Sequence, residues 1–222
     1  IRLVGVNHCC AHLSIGKLWN KLKNPVYLYV SGVNTQIIVQ EQKKKEEGKY
    51  HVLGETLDIG LGNMLDKFGR IVGLGFPAGP KIEELAKKKG TYVELPYIVK
   101  GMDVSFSGLL TRAQQLVERK QATKEDLCFS LQETAFAMCA EVAERALAHS
   151  GKKELLLVGG VGANKRFCEM LDLMCRERNA KFYKVPMDLA GDQGAMIAWE
   201  GFLRKESYGD VEVNPHWRAD EV

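Results

Sequence analysis

Long apolar runs are missing from this sequence. The longest, such as residues 155–158, are far too short to cross a bilayer, and no secretory-signal pattern opens the chain. No membrane association is expected. The six cysteines (Cys9, Cys10, Cys128, Cys139, Cys168 and Cys175) include no CxxC pair and are scattered through segments that read as helical. That argues against a disulfide scaffold and for reduced, buried thiols in a cytoplasmic protein, one that would also be nuclear in a eukaryote. A strong charge of one sign is absent as well. The net charge of +3 permits nucleic-acid contact without arguing for it, because dedicated binders concentrate basic charge on one face. There is no internal repeat and no low-complexity tract. The first residue is Ile1 rather than methionine, and the apolar stretch 1–6 reads as a strand in mid-domain. Residues are therefore expected upstream.

What is present is 222 residues, 45% hydrophobic and 27% charged, enough chain to bury a core in one or two domains. Residues 27–40 are rich in Val, Ile and Tyr and read as a hairpin bent at Ser31-Gly32-Val33-Asn34. The charged stretch 42–49 reads as a solvated turn, and 50–53 as a third strand. Helical periodicity follows over 58–72. Residues 73–80, with their glycines and prolines, form a loop, and 81–89 a short helix stopped at Gly90. Further helices are expected over 105–119, 124–149, 164–178 and 193–203. Strands are expected over 155–158, which runs into a tight turn at 159–162, and over 181–185. Hairpin strands followed by strand–helix units imply an α/β fold.

Several constellations could carry chemistry. His8 and His12 are four apart, so on a helix they share a face and can share a metal. The residue after His8 is Cys9, not glutamate, so the general base of a zincin motif is missing. Two structural histidines are the simpler reading unless a third ligand exists. Asp192, in Gly191-Asp192-Gln193-Gly194 before an apolar helix, is the candidate for that ligand; taken alone it reads as an N-cap. Gly159-Gly160-Val161-Gly162-Ala163-Asn164 follows a buried strand and opens a helix, which suits either a phosphate cradle or a turn needing positive φ. The hairpin tip 29–35 leaves the same two readings open. The loop 100–108 can grip a substrate or cap a helix through Ser105 or Ser107. The lysine clusters at 43–45 and 87–89 read as solvated faces.

These motifs occur in one order with Gly54-Glu55-Thr56-Leu57-Asp58-Ile59 and Ser130-Leu131-Gln132-Glu133-Thr134, and the set resembles a single family. The chain looks like the archaeal and eukaryotic branch of the TsaD family, the catalytic subunit of the KEOPS complex, over essentially its whole length. The resemblance implies an actin/hexokinase-like (ASKHA) two-lobed fold with the first lobe incomplete. Residues 1–60 would be the remainder of that lobe and the start of the second, and 61–222 the second lobe. It implies transfer of threonylcarbamoyl from threonylcarbamoyl-adenylate to N6 of the adenosine beside the anticodon of tRNA. A catalytically impaired nucleotide-binding scaffold and a metal-dependent hydrolase are the alternatives. The metal, iron or zinc, would be held by His8, His12, Tyr29 and Asp192. An ATP- or AMP-type nucleotide would touch Tyr29, Val30, Ser31, Gly32, Val33, Asp66, Gly79, Glu83 and Asn164. Expected partners are tRNA, a small atypical protein kinase, a dimerising subunit and a tRNA-binding adaptor. Val33 stands where the family has glycine. A β-branched residue resists positive φ and adds bulk, so weaker nucleotide binding is expected.

Overall fold

The computed structural model describes residues 3–42, 47–88, 90–204 and 211–222. The lysine cluster 43–45 and Lys89 therefore lie outside the described residues. In chain order the elements are α1 (His8–Trp19), β1 (Val26–Val30), β2 (Thr35–Gln42), β3 (Glu47–Glu55), α2 (Leu61–Ile71), α3 (Gly79–Ala86), β4 (Val99–Lys100), β5 (Asp103–Val104), α4 (Ser107–Glu118), α5 (Lys124–Ser150), β6 (Glu154–Val158), α6 (Lys165–Glu177), β7 (Lys181–Lys184), α7 (Met187–Ala190) and α8 (Gly194–Leu203). A 3-10 turn, Gly160–Ala163, joins β6 to α6. The expected strand over 1–6 does not form among the described residues 3–6, where Val4 makes only a single bridge.

One mixed sheet, ordered β3-β2-β1-β6-β7, organises the chain. The hairpin pairs Val26 with Val39 and Val30 with Thr35, antiparallel. On its other side β1 pairs in parallel with β6, Val26 with Leu155 and Tyr29 with Val158. Strand β1 is buried at all five positions, as a central strand covered on both faces must be. The sheet thus joins residues on both sides of position 60.

Alternation along the strands splits the core in two, because successive side chains point to opposite faces. Val26, Leu28, Val30, Leu155 and Leu157 face a large cluster with Phe68 of α2, Phe106, Phe136 of α5 and Phe167 of α6. Tyr27, Tyr29, Leu156 and Val158 face Cys10 and Leu13 of α1. Helix α1 approaches the sheet at Gly16, where an added Cβ would stand 2.9 Å from the Val158 side chain. Every described cysteine is a free thiol; Cys10, Cys128, Cys139 and Cys175 are buried, while Cys9 and Cys168 are half-buried. Burial pushes the Cys128, Cys139 and Cys175 thiols up to about 12, which makes them unreactive.

Loop 100–108 is organised by a residue far from it in sequence. Neither Ser105 nor Ser107 caps α4. Instead, Asp58 accepts both hydroxyls at 2.5 Å and the backbone N–H groups of Phe106 (2.9 Å) and Ser107 (3.1 Å). Partial burial raises the Asp58 carboxyl, but these hydrogen bonds outweigh it and hold the group well below the usual carboxylate range. Its stabilisation is therefore complete above the unfolded value of about 3.9 and is lost as pH falls through the lower folded value. Asp58→Asn should lose about 1 kcal/mol at neutral pH, after discounting for solvent at this exposed carboxylate. In urea denaturation the gap to wild type should persist down to about pH 4 and close below it; a gap unchanged at about pH 3 would contradict this account of the loop.

Candidate metal and nucleotide sites

The site is assembled by two helices from opposite ends of the chain. Asn7 caps α1, its side chain accepting from Cys10 N at 3.1 Å, so His8 and His12 occupy the first turns on one face. Helix α8 packs on α1 through Met196 against Ala11 and Ile15. Gln193, not Asp192, is the N-cap of α8, accepting from Met196 N at 3.0 Å. The Asp192 carboxylate is thereby free of a capping role and reaches the histidines. Its Oδ1 lies 3.2 Å from His8 Nε2 and 3.0 Å from His12 Nε2. One donor atom from each of the three side chains lies within 4.8 Å of the others. His12 is 3% exposed, whereas the Asp192 side chain is 76% exposed, so the cluster opens to solvent from the carboxylate side.

Burial lowers the His12 pKa, and the nearby Asp192 offsets this only in part. The imidazole is neutral near pH 7, the form that ligates metals. Tyr29 lies beside it, its ring tilted by 33° with centroids 5.3 Å apart. Burial raises its phenol to about 12, against hydrogen bonds with Ser31 and Asn34 that lower it. Two imidazoles and a carboxylate, with a phenol adjacent, match the donor chemistry of zinc or iron sites that keep open positions. The residues present fit a divalent ion.

A cavity of 360 Å³ borders the hairpin tip at Gly32. Gly32, Asp66, Gly79, Glu83 and Asn164 all line it, and its volume falls in the usual range for ligand pockets, about 300–1,000 Å³. Tyr29, Val30, Ser31 and Val33 are not among its lining residues. Three of its polar side chains are held. Asp66 accepts from Ala78 N at 2.8 Å, and Glu83 from Lys165 N at 3.1 Å. Asn164 caps α6 through Phe167 N, while its amide donates to Gln132 at 2.9 Å. The positive-φ reading of the glycine turn applies at Gly159 (φ 94°), where an added Cβ would lie 2.3 Å from Val30 O.

Sequence reasoning missed Gly62 and Asn63, which also line the cavity. The tip docks on the start of α2: Gly62 N and Asn63 N donate to the carbonyls of Ser31 (3.1 Å) and Gly32 (2.9 Å). A Cβ at Gly62 would lie 2.7 Å from Ser31 O. The Gly60-Leu61-Gly62-Asn63 pattern at a helix start was the available signal. Also missed was the segment 211–222. Asn7 donates to the Trp217 carbonyl at 2.8 Å, and Arg218 pairs with Glu55 at 3.2 Å.

An α/β core that carries a metal-suited cluster and a nucleotide-sized cavity is the class of protein the geometry defines. The family model described as TsaD: tRNA N6-adenosine threonylcarbamoyltransferase matches residues 1–199, and the chain belongs to that family. It is 53% identical to a tRNA N6-adenosine threonylcarbamoyltransferase of Methanocella arvoryzae, covering all of this chain and 68% of that protein. It is 56% identical to a probable bifunctional tRNA threonylcarbamoyladenosine biosynthesis protein of Methanosarcina mazei, spanning 40% of it. Among solved structures it is similar to T. kodakarensis HypF (TM-score 0.69, 16% identity, 93% of this chain and 37% of that one). It is also similar to a full-length HypF in a phosphate- and nucleotide-bound form (TM-score 0.73, 12% identity, 91% and 43%). These two likenesses bear on the fold alone.

Val33 is not among the described non-glycine residues with positive φ, and it is 69% exposed. Neither strain nor crowding of the 360 Å³ cavity follows from it. Val33→Gly should leave adenine-nucleotide affinity unchanged by isothermal titration; a clear gain in affinity would restore the expectation drawn from the sequence.

Proposed function

We propose that this chain transfers a threonylcarbamoyl group from threonylcarbamoyl-adenylate to N6 of the adenosine beside the anticodon of tRNA. The observation that carries the proposal is the convergence of His8 and His12 on one oxygen of Asp192, across 180 residues of sequence, in a chain that also holds a cavity of nucleotide size. The names of the family and of the relatives at 53% and 56% identity support it.

The residues divide the work. Asp66 and Glu83 are acceptors in the cavity wall and suit the hydroxyls of a ribose, whereas a phosphate would be repelled there. The phosphate end would therefore point away from them, toward the tip and the histidine cluster. A divalent iron or zinc ion held by His8, His12, Tyr29 and Asp192 would supply Lewis-acid stabilisation of the charge that develops on oxygen during transfer. In the step itself a bond forms between N6 and the carbamoyl carbon. The bond from that carbon to the phosphate oxygen breaks, AMP leaves with the electron pair, and the amine proton passes to solvent. The protein's part is orientation: the rigid tip and the capped helices hold the donor in place.

The slight net charge of +3 supports a tRNA grip shared with other subunits. A small atypical kinase, a dimerising subunit and a tRNA-binding adaptor of a KEOPS-like assembly are the partners this reading implies. The description of the M. mazei relative as bifunctional, and its greater length, are compatible with a second activity working beside this one.

A single-turnover assay with threonylcarbamoyl-adenylate and unmodified tRNA tests the proposal. Wild type should form the modified nucleoside, and His8→Ala should lose the rate by more than about 100-fold. Release of AMP at the same rate without tRNA would point to a hydrolase instead. Adenylate binding with no transfer would point to a scaffold.

A further inference from the structure

A second cavity, of 730 Å³, shares no lining residue with the nucleotide-sized one. Gly32 lines the first and its neighbour Val33 lines the second. His8 stands in the wall of this second cavity, so it opens onto the same cluster of His8, His12 and Asp192. A compartment that touches the reacting centre without overlapping the donor's compartment suits the other substrate of a two-substrate transfer.

Its lining has the chemistry of a base-binding site. Trp217 is half-buried in the wall and is anchored by Asn7, which donates to the carbonyls of Trp217 and Arg218 at 2.8 and 3.1 Å. Gln36 is 8% exposed. Its Nε2 donates to Glu55 at 3.0 Å, while its Oε1 is buried without a hydrogen-bond partner. A buried amide oxygen left so is disfavoured unless a donor arrives. Arg218, the cation among the described residues of this wall, is already paired with Glu55 and Asp220, and Glu212 adds a further negative charge. Such a wall repels phosphates and carboxylates and accepts an uncharged ring whose edge carries an amino donor. Aromatic stacking with amide and carboxylate acceptors at the edge is how proteins hold an unstacked purine.

We propose that the cavity between the N-terminus of α1 and the segment 211–219 receives the acceptor adenine, stacked on Trp217 with its amino edge toward Gln36 and Glu55. This rests on reading the chain as the transferase. Donor and acceptor then occupy separate cavities, and the acceptor's is the one that opens at His8. Val33, in the acceptor wall, bears on the acceptor and not on the nucleotide.

The test uses the intact protein and two anticodon stem–loop RNAs, one unmodified and one carrying 2-aminopurine at the acceptor position. In wild type and Trp217→Phe the 2-aminopurine fluorescence should fall on binding, because an aromatic ring remains. In Trp217→Ala that quench should be lost and transfer to the unmodified RNA should drop about tenfold or more, as removal of a stacking platform does. Adenine-nucleotide affinity should stay that of wild type, which shows that the variant is folded. Trp217→Ala that quenches and transfers like wild type overturns the proposal. So does a Trp217→Ala that loses nucleotide affinity along with transfer, since the two compartments would then not be separate. A wild type that quenches 2-aminopurine yet forms no product supports the base site and overturns the transferase reading.

Discussion

The site depends on α8 lying against α1. Met196 packs between Ala11 and Ile15, and that contact brings a carboxylate near the end of the chain within 3.2 Å of two imidazoles near its beginning. Helix α1 is in turn fixed by the sheet, because Gly16 has no side chain to hold it away from β6. The Asn7 cap at one end links it to the segment around Trp217. The absence of a side chain at one position thus sets the depth of a helix, and the depth of the helix sets where the histidines point.

The hairpin tip is the second fixed body. Its carbonyls are taken up by the first N–H groups of α2, groups a free helix start would offer to an anion. The tip is therefore a partition rather than a phosphate cradle in its own right. It borders two cavities of unequal character, one lined by Asp66 and Glu83, the other by Trp217, Gln36 and Glu55. Binding two substrates against a rigid wall pre-sets their approach.

Much of this was legible from local pattern. Strand β1 shows as a continuous apolar run and α5 as a long periodic one, and both formed close to the expected bounds. The spacing of His8 and His12 correctly implied a shared helix face, since period is a local property. What escaped notice was set by distant contacts. Asp58 organises a loop 47 to 49 residues away, so Ser105 and Ser107 looked like caps. Asp192, the candidate third ligand, read as a cap when taken alone, because only the packing of α8 shows that Gln193 fills that role. The stretch 1–6 has strand-like composition, but the neighbours that decide pairing cannot be read from composition. The segment 211–222 carries no periodic signal, yet its Trp217 and Arg218 line the same cavity as His8, held there by Asn7 and Glu55.

The central claim is that His8, His12 and Asp192 form one metal centre. Metal analysis of the purified protein beside its Asp192→Ala variant tests it most directly. The account predicts one equivalent of iron or zinc in the wild type and little in the variant, with both folded. Equal metal content in the two proteins, or none in either after growth with both metals supplied, would contradict it.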